Sequence, residues 1–152
     1  MRPPCFILFV IGWIVLAFAD SSSGAHVIPF EYRDGLIWVK VSAGSNGARL
    51  NFLLDSGAGA SVINLGTAKS LGVRLGQRAK VKLVGTGASA WRVRDFQATV
   101  AGIPISQTPL ALDLSTTSVL CSRVIDGLLG EDFFRGRIVE IDFRALCLRL
   151  LD

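Results

Sequence analysis

Residues 53–59 read LLDSGAG, so an ionisable residue, Asp55, leaves an apolar run and enters a glycine-rich turn. One interpretation is structural, since Asp, Ser and Gly are ordinary turn residues and the triplet only ends a strand. The other is chemical, because a carboxylate held at the end of a rigid strand can act as an acid or a base on a neighbouring substrate. The triplet alone does not separate the two, so the rest of the sequence is needed.

The segments on both sides of this stretch predict strands. Residues 35–43 and 48–55 are β-type runs, and Asn46-Gly47 between them predicts a hairpin whose second arm enters Asp55. Alternating apolar and polar residues predict a second, longer hairpin over 79–100. Further expected elements are a short strand at 61–63, a short helix over 64–73 capped by Asn64 and ended by Gly72, a short helical segment after Gly130, and a terminal hairpin over 137–151. Strands dominate and the helices are short, so the predicted fold class is all-β.

The first nineteen residues predict a targeting segment. Arg2 is followed by fifteen apolar residues, Cys5 to Ala19, which end in the small-x-small pattern of a signal peptidase site. That run is shorter than the roughly 18 to 20 residues needed to span a bilayer. We predict a cleaved signal at 1–19, with an uncleaved membrane anchor as the alternative, then a polar linker at 20–34 and one domain at 35–152. The protein would be exported, either to a periplasm or fully secreted, without stable membrane association once the signal is cleaved.

Composition argues against several other functions. The chain has a formal net charge of +4, but its basic residues between Arg74 and Arg94 alternate with apolar ones, which favours a solvated strand face over a nucleic-acid site. His26 is the only histidine and lies in the polar linker, and the chain has no Cys/His cluster with metal-ligand spacing. No metal and no cofactor is therefore expected. Beyond the signal, Cys121 and Cys147 form either one disulfide or two free thiols.

Three features follow one another along the chain: a strand ending in Asp55-Ser56-Gly57-Ala58, a hairpin tip at Gly85-Thr86-Gly87, and the segment IDGLLGEDFF at 125–134. In this order and spacing the chain resembles the retropepsin-like aspartic proteases, the retroviral type that works as a homodimer. The resemblance covers roughly residues 36–150. It implies a retropepsin-like acid protease fold, a closed β-barrel-like half-site that homodimerisation completes.

The resemblance also implies a role for each motif. Asp55 would be catalytic, and Ser56, Gly57 and Ala58 would support the catalytic loop, with Ser56 hydrogen-bonding across the dimer interface. The segment Gly85, Thr86 and Gly87 would be the tip of a flap that closes over substrate. The segment Leu128, Leu129 and Gly130 would pass behind the catalytic loop as the hydrophobic-hydrophobic-glycine motif of the fold. The chain holds one Asp-Ser-Gly triplet, so the second aspartate would come from a second copy.

Several residues leave alternatives open. Asp126 is the rival for an intramolecular catalytic partner, although its segment has a structural role in the family. Trp91 either packs over substrate or, as we favour, caps an apolar face. Viral members carry an acidic residue two places after the triplet's glycine and an arginine after the later glycine, and here those places hold Gly59 and Glu131. The grip on substrate backbone and the bracing of the dimer are therefore expected to differ.

The predicted function is that of an aspartic endopeptidase. Two Asp55 carboxylates, one per subunit, would share a proton and activate a water that attacks a peptide bond. Apolar or small pocket residues, expected to include Ala60, Val62, Val84 and part of 109–112, suggest hydrophobic side chains beside the scissile bond. The alternative is a non-catalytic peptide-binding or interaction module on the same fold. The expected partners are a second copy of the chain and a peptide or protein substrate, not nucleic acid.

Overall fold

The protein is described by a computed structural model that covers residues 26–83, 86–105 and 109–151. The described residues form twelve strands and three short helices. The strands are β1 (His26–Arg33), β2 (Leu36–Ala43), β3 (Ala48–Leu54), β4 (Val62–Asn64), β5 (Arg74–Leu83), β6 (Thr86–Arg94), β7 (Ala98–Val100), β8 (Ile103–Pro104), β9 (Leu110–Leu112), β10 (Gly127–Leu129), β11 (Ile138–Asp142) and β12 (Cys147–Leu151). The helices are α1 (Leu65–Ser70), α2 (Ser115–Leu120) and α3 (Glu131–Phe134). None of the helices in these ranges is long and apolar enough to cross a membrane.

The three predicted hairpins are confirmed. Strands β2 and β3 pair in antiparallel register from Trp38–Leu53 to Ala43–Ala48, across a four-residue turn. Gly44 and Gly47 both have positive φ in that turn, at +68° and +64°, which explains why glycine brackets it. Strands β5 and β6 form the long hairpin, and β11 and β12 form the terminal one. Pairing in the β5–β6 hairpin includes Leu83–Thr86 and Lys82–Gly87, so Thr86 and Gly87 of the predicted glycine-rich tip belong to strand β6.

The boundary between the predicted linker and the domain is corrected by strand β1. Residues 26–33 pair with β12 on one side and with β2 on the other. Ile28 and Phe30 are buried in the core, whereas His26 is exposed. Burial alternates along the strand, since Ile28 and Phe30 are buried while Val27, Pro29 and Glu31 are exposed, which is the pattern of a half-buried strand. The folded domain therefore includes residues 26–34, which the sequence analysis assigned to a polar linker.

Strand β10, which carries the Leu128-Leu129 pair of the hydrophobic-hydrophobic-glycine motif, occupies a central position in the sheet. It lies between β3 and β4, parallel to β3 through the pairs Leu128–Leu53 and Leu129–Leu54, and antiparallel to β4. A side chain at Gly127 would overlap the Phe52 ring, so only glycine lets β10 enter this place. The strand that carries Asp55 is thus supported on one side by its hairpin partner β2 and on the other by a strand from near the C-terminus.

Helix α1 has the predicted caps, and an aspartate precedes helix α2. The predicted N-cap Asn64 is confirmed, since its side chain accepts a hydrogen bond from the Gly66 N–H at 3.1 Å. Gly72 follows the end of α1 with φ at +68°. At the start of α2 the Asp113 carboxylate accepts the Ser115 N–H at 2.9 Å, and this hydrogen bond lowers the pKa of Asp113 from its ordinary value.

The apolar side chains form two clusters on opposite faces of the sheet. The larger cluster is the main core, built around Ile28, Val41, Phe52, Ile63 and Leu148. The smaller one consists of Trp38, Leu53, Val62, Ala90, Leu112, Leu114 and Ile125. Among the described residues the strand order runs from β11 to β5 without returning to β11, so the sheet is open. The predicted mostly-β, retropepsin-like fold is confirmed, but the sheet of a single chain does not close into a barrel. Cys121 and Cys147 are free thiols, which decides between the two alternatives left open above.

Candidate active site

Asp55 sits at the first position after β3, on a backbone fixed by hydrogen bonds. Its N–H donates to the Leu129 carbonyl at 3.0 Å, which extends the β3–β10 pairing by one residue. Its carbonyl accepts the Ala58 N–H at 3.1 Å, which closes the turn. Its carboxylate oxygen Oδ1 accepts the Gly57 N–H at 3.0 Å. The carboxylate is half-buried and therefore both oriented by the turn and open to a ligand.

The two residues after Asp55 are exposed on the outer side of this loop. A Cβ at Gly57 would lie 3.3 Å from the Asp55 carboxylate, close enough to disturb it. Glycine is therefore the residue that leaves this carboxylate room. Ser56 points outward and is exposed, as a residue that meets a partner subunit would be. Its role across a dimer interface stays a prediction.

The far end of the loop is held by a buried hydrogen-bond network that sequence reasoning missed. Ser61 is completely buried, and its backbone N–H and its hydroxyl both donate to Asp132 Oδ1, at 2.8 and 2.6 Å. The same hydroxyl accepts the Gly130 N–H at 3.1 Å. The sequence gives only an indirect signal for this contact. The two places where viral members carry an ion pair hold Gly59 and Glu131 here, and they lie close to Ser61 and Asp132 in the sequence. The network links the end of the loop to Gly130 and to helix α3.

The predicted hydrophobic-hydrophobic-glycine segment lies directly behind the loop. Leu129 is buried in the main core, and Leu128 faces the opposite side and lines a cavity. A Cβ at Gly130 would lie 2.5 Å from the Ala60 carbonyl carbon and 2.7 Å from the Ala58 oxygen, both backbone atoms. The Glu131 N–H donates to that Ala58 oxygen at 2.7 Å. Backbone packs on backbone here, which restrains the shape of the loop that carries Asp55.

An open cavity of about 370 Å³ lies against the loop. Among its described lining residues Asp55 is the only ionisable one. The others are small or apolar and come from the loop, the strands β4, β9 and β10, and the hairpin β5–β6: Gly57, Ala58, Gly59, Ala60, Val62, Val81, Ala90, Leu110, Leu112 and Leu128. Four of them lie among the pocket positions expected from the sequence, namely Ala60, Val62, Leu110 and Leu112. Such a cavity suits an apolar side chain placed beside a single carboxylate.

Asp126 is engaged elsewhere. Its Oδ2 accepts the Asn51 N–H and its Oδ1 accepts the Thr67 hydroxyl, both at 2.8 Å. Its backbone also pairs with Asn51 and with Asn64. Asp126 is not among the cavity-lining residues. Both of its carboxylate oxygens therefore hold the neighbouring strands and helix α1 together.

The hairpin β5–β6 borders the cavity through Val81 and Ala90. Of its predicted flap tip, Gly85 lies outside the described residues, while Thr86 and Gly87 begin β6. Trp91 packs against the main core, and the Arg78 guanidinium lies 5.4 Å from the centre of its ring. Of the two alternatives for Trp91, the structure therefore has the apolar cap. In the described part of the chain, no group of three or more His, Cys, Asp or Glu side chains comes together as a metal site would require.

An open β-sheet with an Asp-Ser-Gly loop backed by a Leu-Leu-Gly strand is the half-site architecture of a retropepsin-like aspartic protease. A family model described as Aspartyl protease matches residues 39–133, more than half of the chain. The chain therefore belongs to the aspartyl protease family. A comparison with curated proteins finds no match.

Similar solved structures include three proteins of this type. The retroviral protease-like domain of Ddi1 from Leishmania major has a TM-score of 0.52 and 20% identity, over 76% of this chain and 91% of that chain. A retropepsin-like aspartic protease from Rickettsia conorii gives 0.48 and 17%, over 84% and 90%. The EIAV protease complexed with an inhibitor gives 0.47 and 22%, over 64% and 84%. At these identities the likeness to the Leishmania domain shows a shared fold.

Proposed function

We propose that the protein is a homodimeric aspartic endopeptidase in which each subunit contributes one Asp55. The observation that carries this proposal is the half-exposed Asp55 carboxylate, held by the Gly57 N–H in a cavity whose other described lining residues are uncharged. Peptide hydrolysis without a metal needs both a base and an acid at the scissile bond. One carboxylate per chain cannot supply both at once, so a second copy of the chain is the natural source of the other.

The chemistry follows from placing two such carboxylates a few Å apart. They cannot both ionise, so the pair holds one proton between them. The ionised member takes a proton from a water, whose oxygen attacks the peptide carbonyl carbon, while the protonated member gives its proton to the carbonyl oxygen. In the tetrahedral intermediate the leaving nitrogen then takes the proton that came from the water and the C–N bond breaks. A hydroxyl of the intermediate returns its proton to the other carboxylate, so the pair again holds one shared proton. The backbone contacts of Asp55 with Leu129 and Ala58 keep each carboxylate in position. Ser56, exposed at the loop, would hydrogen-bond across the interface and fix the distance between the two loops.

The hairpin β5–β6 would act as a flap over the bound peptide. It already contributes Val81 and Ala90 to the cavity, and its closure would exclude bulk water. The apolar lining favours hydrophobic side chains beside the scissile bond. We further propose that the protein is exported by its first nineteen residues and acts outside the cytoplasm.

A subunit-mixing experiment tests the proposal. Asp55→Asn keeps the shape of the side chain but cannot share the proton, so its homodimers should fold and fail to cleave a peptide. If subunits exchange freely, an equal mixture of wild-type and variant chains contains roughly one quarter wild-type dimers. Peptidase activity at fixed total protein should then fall with the square of the wild-type fraction. The measurement is a cleavage assay after co-refolding at several ratios.

The matched control is Asp126→Asn. It alters the aspartate that the sequence analysis named as the rival catalytic partner. Mixtures with that variant should lose no more activity than the loss of folded protein explains. A linear fall with the Asp55→Asn fraction would show that each chain carries a complete site, and the homodimeric mechanism would be wrong. Retained activity in pure Asp55→Asn protein would remove Asp55 itself from the mechanism. Absence of any inhibitor-sensitive cleavage by the wild-type protein would favour a binding module.

A further inference from the structure

The hairpin β5–β6 carries a strongly one-sided charge. Between residues 74 and 94 it contains six basic residues and no acidic one: Arg74, Arg78, Lys80, Lys82, Arg92 and Arg94. The same hairpin borders the cavity through Val81 and Ala90. A cationic element therefore adjoins an apolar cavity in which Asp55 is the only ionisable lining residue among those described.

Strand periodicity places Arg92 on the cavity side of this hairpin. Side chains alternate between the two faces of a strand, so Arg92 shares the face of Ala90, about 6.6 Å further along at a rise near 3.3 Å per residue. Arg92 also pairs directly with Leu110 of β9, another cavity-lining residue. Cross-strand partners have Cβ atoms about 4.5–5.5 Å apart and point the same way. The exposed Arg92 side chain therefore lies at the margin of the cavity.

Arg78 lies on the opposite face. It pairs with Trp91, which packs on the main core, and its guanidinium lies over the Trp91 ring. A register shift between Leu75 and Arg78 is the reason that the alternating basic residues do not all share one face. The sequence analysis treated them as one solvated face, and the pairing register corrects that prediction. Arg78 and Arg92 thus offer two exposed arginines on one hairpin, one away from the cavity and one beside it.

We propose that Arg92 selects polypeptide substrates that carry an acidic side chain a few residues away from the apolar pair at the scissile bond. This inference rests on the proposed function and deepens it. An extended peptide in the cavity would place its apolar side chains against Val62, Val81 and Leu110. The peptide chain would continue past Ala90 toward Arg92. There a carboxylate of the peptide would form an ion pair with the exposed Arg92 guanidinium. An ion pair of that kind changes affinity by about two- to fivefold.

The test uses a set of peptides with one apolar core and either Glu, Gln or Lys at each flanking position in turn. Wild-type protein should show a higher kcat/KM for Glu than for Lys at one flanking position, mainly through KM. Arg92→Gln should abolish the difference, and Arg92→Glu should reverse it. Arg78→Gln is the matched control and should retain the preference. Salt near 1 M should weaken the preference, since the pair is exposed to solvent.

Binding measurements separate this inference from the proposed catalysis. Fluorescence anisotropy of the same labelled peptides with Asp55→Asn protein reports selection without turnover. An acidic preference in binding that depends on Arg92 supports the inference even if no peptide is cleaved. Equal binding of Glu and Lys peptides, or equal losses in Arg92→Gln and Arg78→Gln, overturns the assignment to Arg92. A single-stranded DNA oligonucleotide that binds more tightly than every acidic peptide, with the same dependence on Arg92, would assign the surface to nucleic acid instead.

Discussion

Ser61→Ala tests the hydrogen-bond network that links the Asp55 loop to Gly130 and α3. The variant removes the hydroxyl that donates to Asp132 at 2.6 Å and leaves the buried Gly130 N–H without its acceptor. A hydrogen bond to a charged group contributes about 1.5–3 kcal/mol, and an unsatisfied buried donor costs about 1–3 kcal/mol. The Ser61 backbone N–H still donates to Asp132, so part of the network remains. We expect the free energy of unfolding to fall by about 2–4 kcal/mol, a large share of the usual 5–15 kcal/mol.

The assay is urea unfolding followed by circular dichroism, with the cleavage rate per folded protein measured in parallel. The midpoint should fall while the slope stays constant, because the same surface is exposed on unfolding. The cleavage rate should also fall, since Gly130 packs directly on the backbone of the loop that holds Asp55. Ser70→Ala is the control. Ser70 is exposed at the end of α1 and its hydroxyl donates only to the Thr67 carbonyl, so its loss should change stability by less than about 0.5 kcal/mol.

Two results would refute this reasoning about Ser61. One is a loss in Ser61→Ala no larger than that in Ser70→Ala. The other comes from a double-mutant cycle with Asp132→Asn. Residues in one hydrogen-bond network show coupling energies of about 0.5–3 kcal/mol, so purely additive effects would mean that the two side chains do not act together.

Three further predictions concern Gly130 and Asp126, which support the site, and Asp142 in the terminal hairpin. Gly130→Ala should lower the free energy of unfolding by about 1–3 kcal/mol, because the new Cβ would overlap backbone atoms of the loop. The control is Gly66→Ala in α1, where a Cβ fits without a clash. In the same urea assay that variant should be neutral or stabilising by up to about 1 kcal/mol. Asp126→Ala should destabilise the protein by leaving the Asn51 N–H without its acceptor, yet keep the cleavage rate per folded dimer, which active-site titration would measure. At Asp142 the N–H of Ala145, and then the Arg149 side chain, lower the pKa of the carboxyl below its ordinary value of 3.8. The ionised Asp142 carboxylate therefore stabilises the folded protein at pH values above its unfolded-state pKa, and this stabilisation is lost as the pH falls through the lower folded-state pKa. Asp142→Asn should accordingly be less stable than wild type at pH 7, and the difference in the free energy of unfolding should shrink in acid. A difference that stays constant down to pH 2 would contradict this account of Asp142.

The family shown by the comparisons was already predictable from the sequence, because its decisive signals are local. Apolar alternation and a glycine-bracketed turn define the hairpin β2–β3, and the Asp-Ser-Gly triplet follows it directly. The cap at Asn64 is equally local, since the side chain and the N–H it binds are two residues apart. Motifs of this kind depend on backbone geometry over a few residues, which the residue types themselves restrict.

The remaining features needed the tertiary structure, because they depend on contacts between residues far apart in the chain. Strand β10 lies between β3 and β4, although it follows β3 by about seventy residues in the chain. No periodicity in 127–129 predicts these two pairing partners. The hydrogen bonds between Ser61 and Asp132 join residues 71 apart, and either residue alone reads as an ordinary turn or helix-end residue. Which basic residues of β5 share the face of Arg92 depends on a register shift between Leu75 and Arg78, which composition and alternation in a single strand do not specify. Local sequence therefore identified Asp55 as the candidate catalytic residue, whereas long-range pairing decided what holds its loop in place and which charges surround it.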